Sequence, residues 1–165
     1  MRPLLRAAFA AAFLVVPAPA LAAAAGEPAP AFTLPDAGGA PVALDKLKGR
    51  VVYIDFWASW CGPCKRSFPW MGEMQRKYGD GGLTVVAINV DKKREDADRF
   101  LKGASAEFTV VYDAAGSAPA AWQVKSMPSS YLVDASGRIA WVESGFKDDR
   151  KAEVEDRIRA AIAAR

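Results

Sequence analysis

Val51-Val52-Tyr53-Ile54-Asp55-Phe56-Trp57-Ala58-Ser59-Trp60-Cys61-Gly62-Pro63-Cys64-Lys65 decides the fold. Its first seven residues form a nearly continuous β-branched and aromatic run, the pattern of a strand buried on both faces. From the cysteines onward the period changes. Phe68, Met71, Met74 and Tyr78 fall at helical spacing, and the glycines between positions 79 and 82 provide a stop. Pro69 lies inside that pattern and is expected to kink the helix. The two cysteines therefore stand where a strand hands over to a helix.

That placement sets their chemistry. A thiol with a pKa of ~8.5 is only about 1% ionised at pH ~6.5. The unpaired N–H groups and the dipole of a helix N-terminus favour the thiolate. Lowering the pKa to ~7 corresponds to roughly 2 kcal/mol. Cys61, at the helix start, is expected to be the exposed nucleophile, and Cys64, one turn further in, the shielded partner that closes a disulfide. Pro63 suits the first turn, where its missing N–H costs nothing, and Gly62 lets a substrate backbone come close. As a structural staple the pair would be poor, because so small a loop restricts the unfolded chain little. A tetrahedral zinc site needs four ligands, and the chain has two cysteines and no histidine. Covalent haem attachment needs a histidine at position 65, which is Lys65. No metal and no cofactor is expected.

Upstream, Arg2 and Arg6 precede the apolar run 7–16, Pro17 and Pro19 break it, and Ala20-Leu21-Ala22 reads as a cleavage site. The run is short of the ~20 residues a bilayer span needs. Residues 1–22 are thus expected to be a cleaved signal peptide that delivers the chain to the periplasm, with an uncleaved inner-membrane anchor as the alternative. Removing them takes two arginines and no acid, leaving 143 of 165 residues with a net charge of +1. So neutral a chain offers no electrostatic basis for binding nucleic acid or a membrane surface.

The Ala/Pro-rich residues 23–31 read as a flexible leader, and residues 32–165 as one domain. Segments 32–34 and 42–44, around Asp36-Ala37-Gly38-Gly39, look like a short hairpin. A second buried strand is expected over 83–90. A polar-faced helix over 94–102 would bury Phe100 and Leu101 and leave Arg94, Asp96, Asp98 and Arg99 in solvent. A third strand follows over 108–112, then a short helix at best over 118–124, then a hairpin of 130–133 with 138–142. The last helix, capped by Asp148 or Asp149, would bury Val154, Ile158, Ala161 and Ile162. Glu153 and Glu155 stand four residues before Arg157 and Arg159, in the favourable order for pairing. Helices alternating with buried strands, then a terminal hairpin and helix, indicate an α/β domain with a mixed sheet.

The segment from Asp55 to Lys65 resembles the active-site segment of the thioredoxins, and Pro69 matches the family's kink position. The hairpin near Phe32 and Leu44, the Leu47-Lys48-Gly49 approach, and the helix and strand inserted between Asp91 and Asp113 resemble the exported TlpA/ResA/CcmG-like branch. The resemblance implies a thioredoxin fold, with a mixed central sheet flanked by helices, an N-terminal β-hairpin and a central helix–strand insertion. It implies that Pro128, in Ser126-Met127-Pro128-Ser129, is a cis-proline opposite the cysteines, and that Met127 offers its backbone to substrate. It also implies that Asp55 lies buried beneath the pair and handles the proton of Cys64. Trp57 is expected in the core and Trp60 on a substrate-facing rim. Two departures matter: Ser67 stands where that branch often has glutamate, and Ala87 where thioredoxins often have a lysine facing the acid. Asp55 without its cation should hold its proton more tightly than a free carboxyl.

The implied reaction is reduction of disulfides in periplasmic partner proteins through a Cys61–Cys64 dithiol/disulfide cycle. A membrane thiol transporter of the CcdA/DsbD type would recharge the pair, in cytochrome c maturation or a related task, with the protein acting as a monomer. Two other readings stay open. A thiol peroxidase would need a threonine where Ala58 stands, and a copper-binding assembly module would use both cysteines without turnover.

Overall fold

The computed structural model describes residues 23–104 and 106–165, so the expected signal peptide lies outside the described residues. The buried run becomes β3 (Val51–Trp57), with every residue buried. A crossover through α1 (Gly62–Tyr78) leads to β4 (Leu83–Asn89), and α2 (Arg94–Gly103) leads on to β5 (Thr109–Tyr112). β3, β4 and β5 are parallel, as helical crossovers require. After α3 (Ser117–Ala121), β6 (Ser129–Val133) and β7 (Ile139–Ser144) add antiparallel strands, giving the order β5-β4-β3-β6-β7. α4 (Lys151–Ala163) closes the chain. β1 (Thr33–Pro35) and β2 (Pro41–Ala43) form a separate hairpin. Its turn is held by Asp36 Oδ1, which accepts from the Gly38 and Ala40 N–H groups at 2.8 Å each. This is the mixed α/β architecture expected, with the α2–β5 insertion in place.

Strand alternation divides the core in two. Val51, Tyr53, Asp55 and Trp57 share one face of β3 with a cluster that includes both cysteines, Phe68, Met71 and Ile158. Val52, Ile54 and Phe56 point the other way, into a cluster with Leu34, Ile88, Trp122 and Tyr131.

Four expectations need correction. Part of the leader is tied to the sheet: Gly26 N–H donates to the Ile139 carbonyl at 2.7 Å, Ile139 N–H to Glu27 at 2.9 Å, and Ala29 N–H to Gly137 at 3.0 Å. The edge of β7 supplies backbone partners that an Ala/Pro composition does not reveal. Neither Asp148 nor Asp149 caps α4. A 3-10 turn, Asp148–Arg150, precedes the helix with no side-chain cap, and Asp148 pairs with Lys151 and Arg66. Glu155 pairs with Lys77 and Tyr78 of α1 rather than with Arg159, which turns to Asp156, because docking of α4 on α1 offers a closer partner. In α2, Ala97 is the fully buried residue, while Phe100 and Leu101 are half-buried.

Candidate active site

β3 ends at Trp57, and three residues carry the chain to Cys61, the N-cap of α1. The Cys61 sulfur accepts the Cys64 N–H at 3.2 Å, so it takes the place that a serine or aspartate oxygen fills in an ordinary cap. The helix end's partial positive charge therefore falls on this sulfur. Pro63 occupies the first turn, where no hydrogen bond is lost. The cysteines are joined by a disulfide of 2.02 Å, with Cys61 only 4% exposed and Cys64 fully buried. Cys61 is the more accessible of the two, as expected, but it is nearly buried rather than open to solvent. A Cβ at Gly62 would face open space, so nothing within the chain demands glycine there. Ser67, where a glutamate was the familiar alternative, is buried and donates to the Cys64 carbonyl at 3.0 Å.

The loop before Cys61 has a support that the sequence reading missed. Buried Asp91 accepts the Ser59 N–H and hydroxyl, both at 2.9 Å, and the Asn89 side-chain amide at 2.8 Å. The signal available was two polar residues closing a buried strand, at the end where open α/β sheets carry their sites. Trp60 beyond it is 70% exposed, the large hydrophobic residue left in solvent among the described residues. Trp57 is fully buried against Phe68 and Phe100.

The Met127–Pro128 peptide is cis. Pro128 is buried and its carbonyl accepts from Gly145 N–H at 2.8 Å, while the Ser126 carbonyl accepts from the Ser129 hydroxyl. Among the described residues the Met127 amide and carbonyl take part in no backbone hydrogen bond, which leaves a short free edge.

Asp55 is completely buried. Its neighbour in register on β4 is Ala87 and on β6 is Ser130, so no cation faces it along the sheet. The Ser130 hydroxyl donates to Oδ1 at 2.6 Å, and Oδ2 has no partner among the described residues. Burial pushes its pKa up from 3.8 to about 7, and the Ser130 hydrogen bond holds it back from rising further. Ser130 is the second residue the sequence reading missed. It stands between Ser129 and Tyr131, two other hydroxyl-bearing residues, and only register assigns it to Asp55.

The Redoxin family model matches residues 24–158. Thiol-disulfide oxidoreductase ResA of Bacillus subtilis (strain 168) is 33% identical over 120 residues, covering 73% of this chain and 67% of that protein. A crystal structure from Chlorobium tepidum, assigned as a thiol:disulfide interchange protein DsbE, aligns with a TM-score of 0.82 and 47% identity over 84% of this chain and 98% of that one. The thioredoxin domain of a thiol-disulfide oxidoreductase from Bacteroides vulgatus gives a TM-score of 0.74 at 28% identity, over 82% of this chain and 98% of that one.

Proposed function

The chain belongs to the Redoxin family and is a thiol–disulfide oxidoreductase, and from that premise we propose that it works in the periplasm as a reductant of partner-protein disulfides. The observation that carries the direction of attack is the Cys61 sulfur held as the cap of a 17-residue helix. In the dithiol form that environment favours a thiolate on Cys61. The thiolate attacks one sulfur of the partner's disulfide and expels the other as a thiolate, leaving a mixed disulfide on Cys61. Cys64 then attacks the Cys61 sulfur, the Cys61–Cys64 disulfide forms, and the partner's second sulfur leaves. Two electrons pass to the partner. Asp55 accepts the Cys64 proton at Oδ2, the oxygen that Ser130 leaves free.

Trp60, Gly62 and Pro63 form the rim that meets the partner. The Met127 backbone beside Pro128 pairs with an extended segment of it, in the manner of an added strand. Residues 1–22 direct export and are removed. A membrane thiol transporter of the CcdA/DsbD type returns the disulfide to the dithiol, and cytochrome c maturation is the task this reductant serves.

A Cys64→Ala variant expressed in the native host tests this reading. Partners should accumulate on Cys61 as mixed disulfides released by dithiothreitol, and the wild-type protein should reduce insulin. Absence of both, with stoichiometric Cu(I) binding or peroxide consumption instead, would replace the reading with one of its rivals.

A further inference from the structure

Tyr53 is a buried residue, 3% exposed, whose hydroxyl the chemistry above leaves without a role. It lies two residues from Asp55 on the same face of β3, so their Cα atoms are about 7 Å apart. Register sets Asp55 opposite Ser130 and Ser130 opposite Glu143, which places three polar side chains in one row across β3, β6 and β7. Ser130 donates to Asp55 at 2.6 Å, and at the far end Arg150 Nη1 holds Glu143 at 2.7 Å. Tyr53 and Glu143 both line a crevice of about 10 Å³ with Trp70, Trp141, Arg150 and Lys151, room for a single water. Neither cysteine lines it.

When a partner covers Cys61 in the mixed disulfide, Asp55 beneath has no exposure of its own through which to lose a proton. We propose that Ser130, Tyr53 and Glu143 carry the proton that Asp55 takes from Cys64 out to this crevice, on a route separate from the substrate face. The inference rests on Asp55 being the base. Once Oδ2 is protonated, the carboxyl turns to present that proton to the Ser130 oxygen and the Ser130 hydroxyl swings from Oδ1 toward Tyr53. The proton then passes to Ser130 as Ser130 gives its own to the Tyr53 oxygen, and Tyr53 gives its own to the Glu143 carboxylate or a crevice water. The hydroxyls then rotate back. One proton enters, one leaves, and no bond to carbon or sulfur changes. Burial, and next the Asp55 charge, raise the Tyr53 pKa, so the phenol keeps the hydrogen it has to pass. The charged groups around the exit are Glu143, Arg150, Lys147 and Lys151.

The test is single-turnover resolution of a mixed disulfide between Cys61 and a partner peptide, in the full chain, across roughly pH 5 to 9 and in H2O/D2O mixtures. In the wild type the rate should fall with deuterium fraction along a curve, as several protons move. Tyr53→Phe should slow resolution roughly tenfold and straighten that curve, and Glu143→Gln, near the surface, should slow it roughly threefold. A slow Tyr53→Phe beside an unchanged Glu143→Gln supports the route with water as final acceptor. Both variants at wild-type speed, or slowed with the curvature intact, would overturn the route while a slow Asp55→Asn left the base assignment standing. Asp55→Asn at wild-type speed would remove that assignment, and the route with it.

Discussion

The two faces of β3 are equally buried and are used in opposite ways. On the face toward α3 and the hairpin, Phe56, Trp122 and Tyr131 pack with ring centroids 4.8 to 5.9 Å apart. The Tyr131 hydroxyl there donates to the Trp122 carbonyl at 2.9 Å. Among the described residues that cluster is built of aliphatic, aromatic and methionine side chains. The face toward α1 and α4 holds Asp55 with one oxygen unpartnered and a pKa of about 7. A single strand thus supports a core that is settled at any working pH and another poised to gain or lose a proton. The difference comes from one side chain at an alternate position, because a buried carboxylate without a cation is far costlier than a buried ring.

Trp122→Ala disrupts the settled face and should be the most destabilising change. It should cost about 4 kcal/mol in urea denaturation and leave the rate of Cys61 attack unchanged. Asp55→Asn acts on the other face with the opposite sign. The unfolded chain releases the Asp55 proton near pH 4 and the folded chain near pH 7, so between these values the native state holds more protons and stability falls as pH rises. The variant should be more stable than wild type by roughly 4 kcal/mol at pH ~8.5, equal to it near pH ~4, and slower in resolving a mixed disulfide. A variant destabilised at high pH would contradict the comparison.

Smaller effects sharpen it. Asp91→Ala frees the Ser59 amide and hydroxyl and should cost roughly 1 to 2 kcal/mol. It should also slow attack by Cys61 several-fold, read as a lower second-order rate with a model disulfide. Ser130→Ala removes a hydrogen bond worth about 1 kcal/mol. Because that bond favours the charged carboxylate, the Asp55 pKa should rise above 7 by NMR titration, and the pH dependence of resolution should move the same way.

The sheet and the helix that begins at the cysteines were legible because local pattern and motif agree there, whereas the cis peptide before Pro128 was legible only through the family resemblance. The run from Val51 to Trp57 can only be a buried strand, and a cysteine pair followed by helical spacing can only sit at a helix start. Ser130 and Asp91 were not legible. Each acts through a partner 75 or 32 residues away, and only strand register brings those partners together. The tie between Gly26 and β7 and the contact of Glu155 with α1 were hidden for the same reason. Composition and helical spacing describe an element alone, whereas these bonds belong to the assembled fold.

Reactivity turns on one sulfur, that of Cys61. Titrating the reduced protein by its thiolate absorbance, with Cys64→Ala to isolate the signal, measures the Cys61 pKa directly. The helix cap predicts a value near ~7. A value near ~8.5, with exchange no faster than that of a small-molecule thiol, would contradict the account.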